Sequence, residues 1–497
     1  MEPDQAGTYQ KSFTLLIISI SLATFMSALD GTIVNIALPT ISDAFNVSTS
    51  TVSWVSTIYL LVMAGCVLIF GKISDTIGFK KVFLSGFLIF TIGSFASGFL
   101  PDFIHSFPVL IGSRAFQAVG GAMITAIGPA MVTAYIPMKQ KGKAMGIVLT
   151  FAALGTAIGP TIGGILTQFL SWNWIFFINV PVGICAVLLG AKVIPAMKAQ
   201  ERTGGFDRAG AVLIFTGLAS LLFALSEGQT LGWTDPVILG SLLLALLLLG
   251  GFVWCELKAT DPLLELRLFK RKNFLLTNTT LVLLFFSFAG ISYLLPFYLQ
   301  YVQGYTPSVS GLILTALSVA MMVGGILAGI LYNRAGGRLL SIVAGISIVA
   351  GYFLMTRIRP DTTTGFVVLC LLLIGFGLGL MLTPASNMIM NSVSKKYQGM
   401  VSSLTSLERF APMTIGIAIF NIIFISGINA IATYNRITIE PPAKIRIEVL
   451  TAGFDLAFLF AFIVGIIILI LAILAHQETH PDYQSGEEDT PATQPDT

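Results

Sequence analysis

An aspartate sits deep inside a long apolar stretch near the start of the chain, in Leu29-Asp30-Gly31-Thr32-Ile33-Val34-Asn35. A carboxylate at membrane depth costs roughly 2.5–3.5 kcal/mol on insertion scales, so it is either satisfied by neighbouring helices or put to use. Its chemistry there is to take up and release a proton. A second ionisable residue, Arg114, lies in Arg114-Ala115-Phe116-Gln117-Ala118-Val119-Gly120-Gly121. Arginine keeps its charge, so when buried it needs an anionic or strongly polar partner. At about 1.5 Å of helical rise per residue, Arg114 falls roughly 9 Å, and Asp30 roughly 13 Å, from the same end of their helices. Arg114 is therefore expected to act on Asp30 directly, or through Gln117 or water, and to tune its affinity for a proton. The alternative is a static salt bridge that holds the two helices together.

Glu408 and Arg409 form another charged pair inside an apolar helix. Neighbours on a helix point about 100° apart, so these two need not pair with each other. Glu408 is a candidate substrate contact or second proton site, with Gln117 and Asn35 as further candidates. Tyr59, Tyr293, Phe297, Asn387 and Asn391 are also polar or aromatic residues in apolar helices. Taken singly, each is expected to satisfy an interhelical contact.

The elements that must position these groups are membrane helices. Of 497 residues, 55% are hydrophobic and only 10% charged, and the mean hydropathy is +0.89. Soluble domains carry about 25% charged residues, so lipid is the main solvent here. A net charge of +3 without basic runs argues against a nucleic-acid partner. The four cysteines, Cys66, Cys185, Cys255 and Cys370, all fall in apolar spans without metal-type spacing and read as free thiols.

A span needs about 20 residues. Such stretches lie near 13–38, 51–70, 82–99, 108–133, 144–169, 174–194, 209–226, 236–257, 274–298, 308–332, 339–356, 365–391, 399–426 and 453–475. The first is too long for a signal-peptide core and is expected to be retained. Residues 476–497 are polar and read as a disordered tail. If the amino terminus is inside, 20 of the lysines and arginines fall in cytoplasmic segments and 5 in external loops. That split predicts both termini in the cytoplasm of a multi-pass cell-membrane protein.

The chain repeats itself. Gly71-Lys72-Ile73-Ser74-Asp75-Thr76-Ile77-Gly78-Phe79-Lys80 echoes Gly329-Ile330-Leu331-Tyr332-Asn333-Arg334-Ala335-Gly336-Gly337-Arg338 at an offset of 258. A fainter echo pairs Lys141-Gly142-Lys143-Ala144 with Gln398-Gly399-Met400-Val401. Two six-helix halves, 1–200 and 261–475, would thus flank an inserted pair of helices in 201–260. Parallel repeats of this kind belong to alternating-access transporters.

In the fifth stretch, Gly155, Gly159 and Gly163 recur every four residues beside Pro160 and Gly164. They leave one helix face bare for close packing. The whole chain resembles the fourteen-spanner drug:proton antiporters of the major facilitator superfamily. Leu29 to Pro39 is similar to the helix-1 signature of that group, and the Arg114 stretch to its helix-4 motif. Leu263 to Phe269 is similar to the segment before helix 9, and Gly304 to Pro307 with Gly311-Leu312 to the lead into helix 10. The resemblance implies an all-α fold of two six-helix bundles plus two inserted helices. It implies proton-driven export of bulky lipophilic compounds, often cationic, with protons as the coupling ion and no cofactor. Gly71, Asp75, Gly78, Lys80 and Lys81 then correspond to the cytoplasmic gate. Gly155, Gly159, Pro160, Gly163 and Gly164 correspond to the antiporter motif, which in that family seals the two halves on the outer side. The second-half loop departs from the gate pattern with Asn333 in place of the aspartate. Glu408 is the only carboxylate well inside the later helices, which argues against dicationic cargo. The expected partners are small lipophilic substrates, protons and membrane lipid, with the protein acting as a monomer.

Other classes fit less well. His105, His476 and His480 lie in a loop and the tail, and no HExxH or DxxxD motif is present, so an intramembrane enzyme is not expected. The competing expectation is export of a lipid or endogenous metabolite on the same fold.

Overall fold

The computed structural model describes residues 3–136, 138–195, 207–259, 264–394, 398–434, 443–476 and 478. Apolar runs long enough to cross lipid must close their backbone hydrogen bonds internally, and helices do so. In chain order they are α1 (Pro3–Phe45), α2 (Trp54–Ile77), α3 (Phe79–Ile104), α4 (Phe107–Tyr135), α5 (Met138–Phe169) and α6 (Asn179–Val193). The inserted pair is α7 (Arg208–Leu231) and α8 (Pro236–Lys258), followed by α9 (Lys272–Phe297). A continuous stretch of 49 residues, Pro307–Met355, comes next. It is about twice the length needed to span a bilayer. Gly336 interrupts it with φ 76° and ψ 156°, dividing it into α10 (307–335) and α11 (337–355). The last three are α12 (Thr364–Asn391), α13 (Gln398–Tyr434) and α14 (Ala443–Leu474). Among the described residues, thirteen helices are long and apolar enough to cross a membrane, and dividing the longest at Gly336 makes fourteen.

The break falls at the glycine that the repeat aligns with Gly78. Gly78, which separates α2 from α3, has φ 89° and ψ 146°, nearly the backbone of Gly336 one repeat later. Both lie in positive-φ space that a side chain would strain. The helices outrun their apolar cores at several ends. Helix α1 continues to Phe45 through Pro39, and α14 begins at Ala443, taking in Lys444 and Arg446, which the hydropathy places in a loop. The helical backbone continues past the apolar stretch in both, in α1 in spite of Pro39. Of the expected tail 476–497, His476 and Glu478 are among the described residues.

Below, the end of the bundle at which the chain starts is the near end, and the opposite one the far end. Hydrogen bonds between the two halves cluster at the far end. Asn421 donates to Ser50 Oγ at 2.8 Å, and Thr161 pairs with Thr315 at 2.6 Å. Gln300 donates at 3.0 Å to the Ile36 carbonyl, in the turn that Pro39 loosens. Tyr301 donates to Asp43 at 2.8 Å, Tyr293 to the Thr49 carbonyl, and Ser308 to Gln168. Tyr293 and Phe297, two of the sequence candidates, therefore belong to an aromatic seal, with ring centroids 5.4 Å apart.

The inserted pair lies across the seam between the halves. Leu61 of α2, Ile214, Leu218 and Leu222 of α7, Phe252 of α8 and Ala418 of α13 form one apolar cluster. At the far end of α7, Glu227 accepts from Trp54 Nε1 at 2.8 Å, and Gln229 donates to the Ile422 carbonyl at 3.0 Å. One helix thus holds an element of each half.

Candidate functional site

Four helices meet at Asp30. The aspartate is fully buried, as are Arg114, Gln117 and Asn179 around it. Arg114 Nη1 donates to Asp30 Oδ2 at 3.0 Å. Gln117 Nε2 donates to Asp30 Oδ1 at 2.9 Å, and Asn179 Nδ2 to the same oxygen at 2.8 Å. The periodicity of α4 explains the first two: residues three apart share a helix face, so Arg114 and Gln117 present donors together. They also bond each other, with Arg114 Nη1 donating to Gln117 Oε1 at 2.7 Å. Gln117 Nε2 further donates to Ser94 of α3 at 2.8 Å, which fixes the amide from a third helix.

The arginine is caged. Its guanidinium carbon lies 4.2 Å from the Tyr59 ring centroid and 5.4 Å from that of Phe176, and Nε donates to the Val55 carbonyl at 3.3 Å. Aromatic faces favour a desolvated cation by about 2 kcal/mol. Two opposite charges are thus held in a dry site with nearly every donor and acceptor used. This is the arrangement in which removing one charge, for example by protonating the carboxylate, most disturbs the rest. Beside Asp30, a Cβ built on Gly31 would meet nothing within 4 Å. The site therefore adjoins open space along α1.

Asn179 was not among the sequence candidates. Its signal was present, a lone amide in the apolar run Phe177-Ile178-Asn179-Val180. Its target, however, is 149 residues away, and only the packing of α6 on α1 brings the two together. Asn35, by contrast, accepts from Ser56 Oγ at 3.0 Å and ties α1 to α2. Tyr59 serves as a wall of the arginine cage.

Glu408 is 5% exposed on α13, and its Oε2 has no hydrogen-bond partner. Four residues on, Pro412 lacks an N–H, so the Glu408 carbonyl also loses its helical donor. Arg409 next to it points about 100° away around the helix and is exposed. The sequence argument that these neighbours need not pair holds: no ion pair joins them among the described residues.

The glycine face of α5 packs on α1 of its own half. A Cβ on Gly155 would lie 2.5 Å from the Phe25 carbonyl oxygen, and one on Gly163 2.7 Å from that of Ile33. A Cβ on Gly159 would come closer still, 2.1 Å from Thr32 Oγ1. Gly164 and Pro160 turn to the other half: a Cβ on Gly164 would meet the Pro307 carbonyl oxygen at 2.3 Å, and one on Gly311 that of Pro160 at 2.1 Å. The motif thus divides, three glycines serving the α1–α5 contact and the Pro160–Gly164 stretch the contact between halves. In the near-end turn, Gly78 supplies the positive φ, Lys80 Nζ donates to the Ala191 carbonyl at 2.8 Å, and Lys81 is exposed. The Gly71 backbone has free space about it. The Asp75 side chain lies outside the described residues.

Comparison with known proteins places this arrangement. Residues 20–417 match the family model described as Major Facilitator Superfamily. The chain belongs to the major facilitator superfamily. Its relatives within that superfamily include the riboflavin transporter RibZ of Clostridioides difficile, 35% identical over 86% of this chain and 90% of that protein. The multidrug resistance protein Stp of Mycobacterium tuberculosis is 33% identical over 86% of this chain and 77% of its own. The puromycin resistance protein pur8 of Streptomyces alboniger is 30% identical over 92% and 90%. Among solved structures, a bacterial homologue of the human lysosomal transporter Spinster, in an inward-facing and occupied conformation, superposes with a TM-score of 0.66. It covers 93% of this chain at 14% identity and shows the shared fold. The protein is accordingly a multi-pass membrane transporter of the major facilitator superfamily, and not an enzyme.

Proposed function

We propose that the protein is a proton-coupled antiporter that exports lipophilic drugs or toxic compounds from the cell by alternating access. The observation that carries this reading is the fully buried Asp30 held by Arg114, Gln117 and Asn179. When a proton binds, Asp30 loses the charge that Arg114 neutralises, and one acceptor oxygen becomes a donor. A proton on Oδ2 displaces the Arg114 donor and one on Oδ1 weakens the bonds from Gln117 and Asn179, and either change alters how α4 and α6 are held to α1. Binding energy lost in one state is regained in another, and this difference is what biases a two-state equilibrium. Buried Glu408 offers a second place for a proton.

On the positive-inside reading, the near end is cytoplasmic and both termini lie in the cytoplasm of the plasma membrane. The seal formed by Tyr293, Gln300, Tyr301 and Asn421 then closes the external side. Gly164 and Pro160 belong to that seal, and the Gly71, Asp75, Gly78, Lys80 and Lys81 turn is the cytoplasmic gate of the opposite state. Each proton moving inward down 100 mV releases about 2.3 kcal/mol for transport. Relatives named for multidrug and puromycin resistance support drug export. The relative named as a riboflavin transporter supports the second reading, export of an endogenous metabolite on the same fold.

Cells lacking their own efflux pumps test the proposal. Expression of this chain is expected to lower accumulation of puromycin or of a fluorescent lipophilic dye, and a protonophore should restore it. Unchanged accumulation with every drug tried and lower retention of an endogenous metabolite would favour the second reading. Export that persists with the proton gradient collapsed would overturn the coupling.

A further inference from the structure

The drug-antiporter motifs lead one to expect cationic cargo, yet the charge that the space between the halves presents is positive. Arg409 is exposed on α13, although Glu408 and Phe410 on either side of it are buried and the helix packs against α2 of one half and α9 of the other, so its side chain opens on space between the halves. Its depth follows from the far-end contact of Asn421 with Ser50. Twelve residues back along α13, Arg409 lies about 18 Å toward the near end, and Tyr59 on α2 about 14 Å. Tyr59 covers Arg114. The exposed guanidinium of one half therefore lies at the level of the Asp30 site in the other.

The anions at that level are withheld from cargo. Asp30 is fully buried and already accepts from Arg114, Gln117 and Asn179. Its charge is matched by Arg114. Glu408 turns away from the cavity and is only 5% exposed. A ligand entering between α1 and α13 would meet the gap beside Gly31 on one side and Arg409 on the other.

We infer that Arg409 is a cargo-binding residue and that the cavity selects organic anions bearing a carboxylate or phenolate over cations of the same shape. A guanidinium fork matches a carboxylate with two parallel hydrogen bonds, and it cannot lose its charge to accommodate a cation. This inference rests on the transport reading for the purpose of the cavity, but its test is direct binding, which needs no transport.

The test uses the purified full-length protein in detergent micelles with two xanthene dyes, anionic fluorescein and cationic rhodamine 123, followed by fluorescence anisotropy. Fluorescein is expected to bind at least about tenfold more tightly, the size of effect that one unit charge exerts at several ångströms in a partly hydrated cavity. Arg409→Gln should remove most of that ratio, and Arg409→Lys should keep much of it because the charge remains. The lysine variant also guards against misfolding of the glutamine one, and size exclusion reads the fold of both. Rhodamine 123 binding as tightly as fluorescein, a ratio unchanged in Arg409→Gln, or binding of neither dye would each overturn the inference. Absence of proton-driven transport with the dye ratio intact would overturn the transport reading and leave the charge selection standing.

Discussion

Replacing Arg114 with glutamine should destabilise the protein at least as much as removing both charges at once. Arg114 and Asp30 are 1% and 0% exposed and 3.0 Å apart. With charge centres about 4 Å apart, their attraction at an effective dielectric constant near 20 is about 4 kcal/mol. Breaking such a pair leaves an uncompensated buried charge and costs about 3–5 kcal/mol. Asp30→Asn should cost a similar amount, because the guanidinium then sits charged between Tyr59 and Phe176 with no anion. The double variant, Asp30→Asn with Arg114→Gln, removes both charges and leaves amides that can bond Gln117 and Asn179. It should be no less stable than either single variant, giving a coupling energy of about 3 kcal/mol. Equilibrium unfolding in mixed micelles of rising SDS content reads this cycle. Additivity of the two single losses to within about 0.5 kcal/mol would refute the claim that the pair forms a closed unit.

Three other expectations follow from the packing. Asn179→Leu removes one donor to Asp30 and should cost about 1–3 kcal/mol. As a positioning residue it should also move the pH profile of transport, and a loss of stability with an unmoved profile would make it structural only. Gly164→Ala drives a methyl group to 2.3 Å from the Pro307 carbonyl oxygen, where backbone must give way. It should loosen the far-end seal while leaving each half folded, seen as faster labelling of a cysteine placed at Ser308; labelling unchanged from the parent would contradict this. Trp54→Phe deletes the bond to Glu227 and should cost about 1 kcal/mol. That loss should vanish in a Glu227→Leu background, which has no acceptor; an equal loss there would show that the indole–carboxylate bond is not what matters.

The site was legible in the sequence as far as helix arithmetic reaches. Asp30 and Arg114 stand out because charged residues in lipid-length helices are rare, and counting residues from a common end put them at one depth. Gln117 followed from sharing a helix face with Arg114. Asn179 did not follow, since pairing of α6 with α1 is a property of the bundle and of neither segment. Asn35 shows the reverse case: a polar residue at cavity depth whose partner, Ser56, lies across a helix contact that hydropathy cannot see. The number of crossings was readable because loops alternate in charge, and the structure explains why one loop between spans is hardly a loop. At Gly336 the backbone turns within a single positive-φ residue, so α10 and α11 run on without unpaired turns between them. The role of α7 and α8 was not readable at all. Which elements they touch is a property of the bundle: the cluster of Leu61, Ile214, Leu218, Leu222, Phe252 and Ala418, with the Glu227 and Gln229 bonds of α7, shows that the pair bridges the halves.

Proton coupling at Asp30 is the central claim, and reconstituted liposomes with an acidic interior and an enclosed pH-sensitive dye test it most directly. Cargo added outside should alkalinise the lumen of vesicles carrying the parent protein as protons leave in exchange. Vesicles carrying Asp30→Asn, shown by size exclusion to be folded, should bind the same cargo and give no alkalinisation. Full cargo-dependent proton release by that variant would contradict the account.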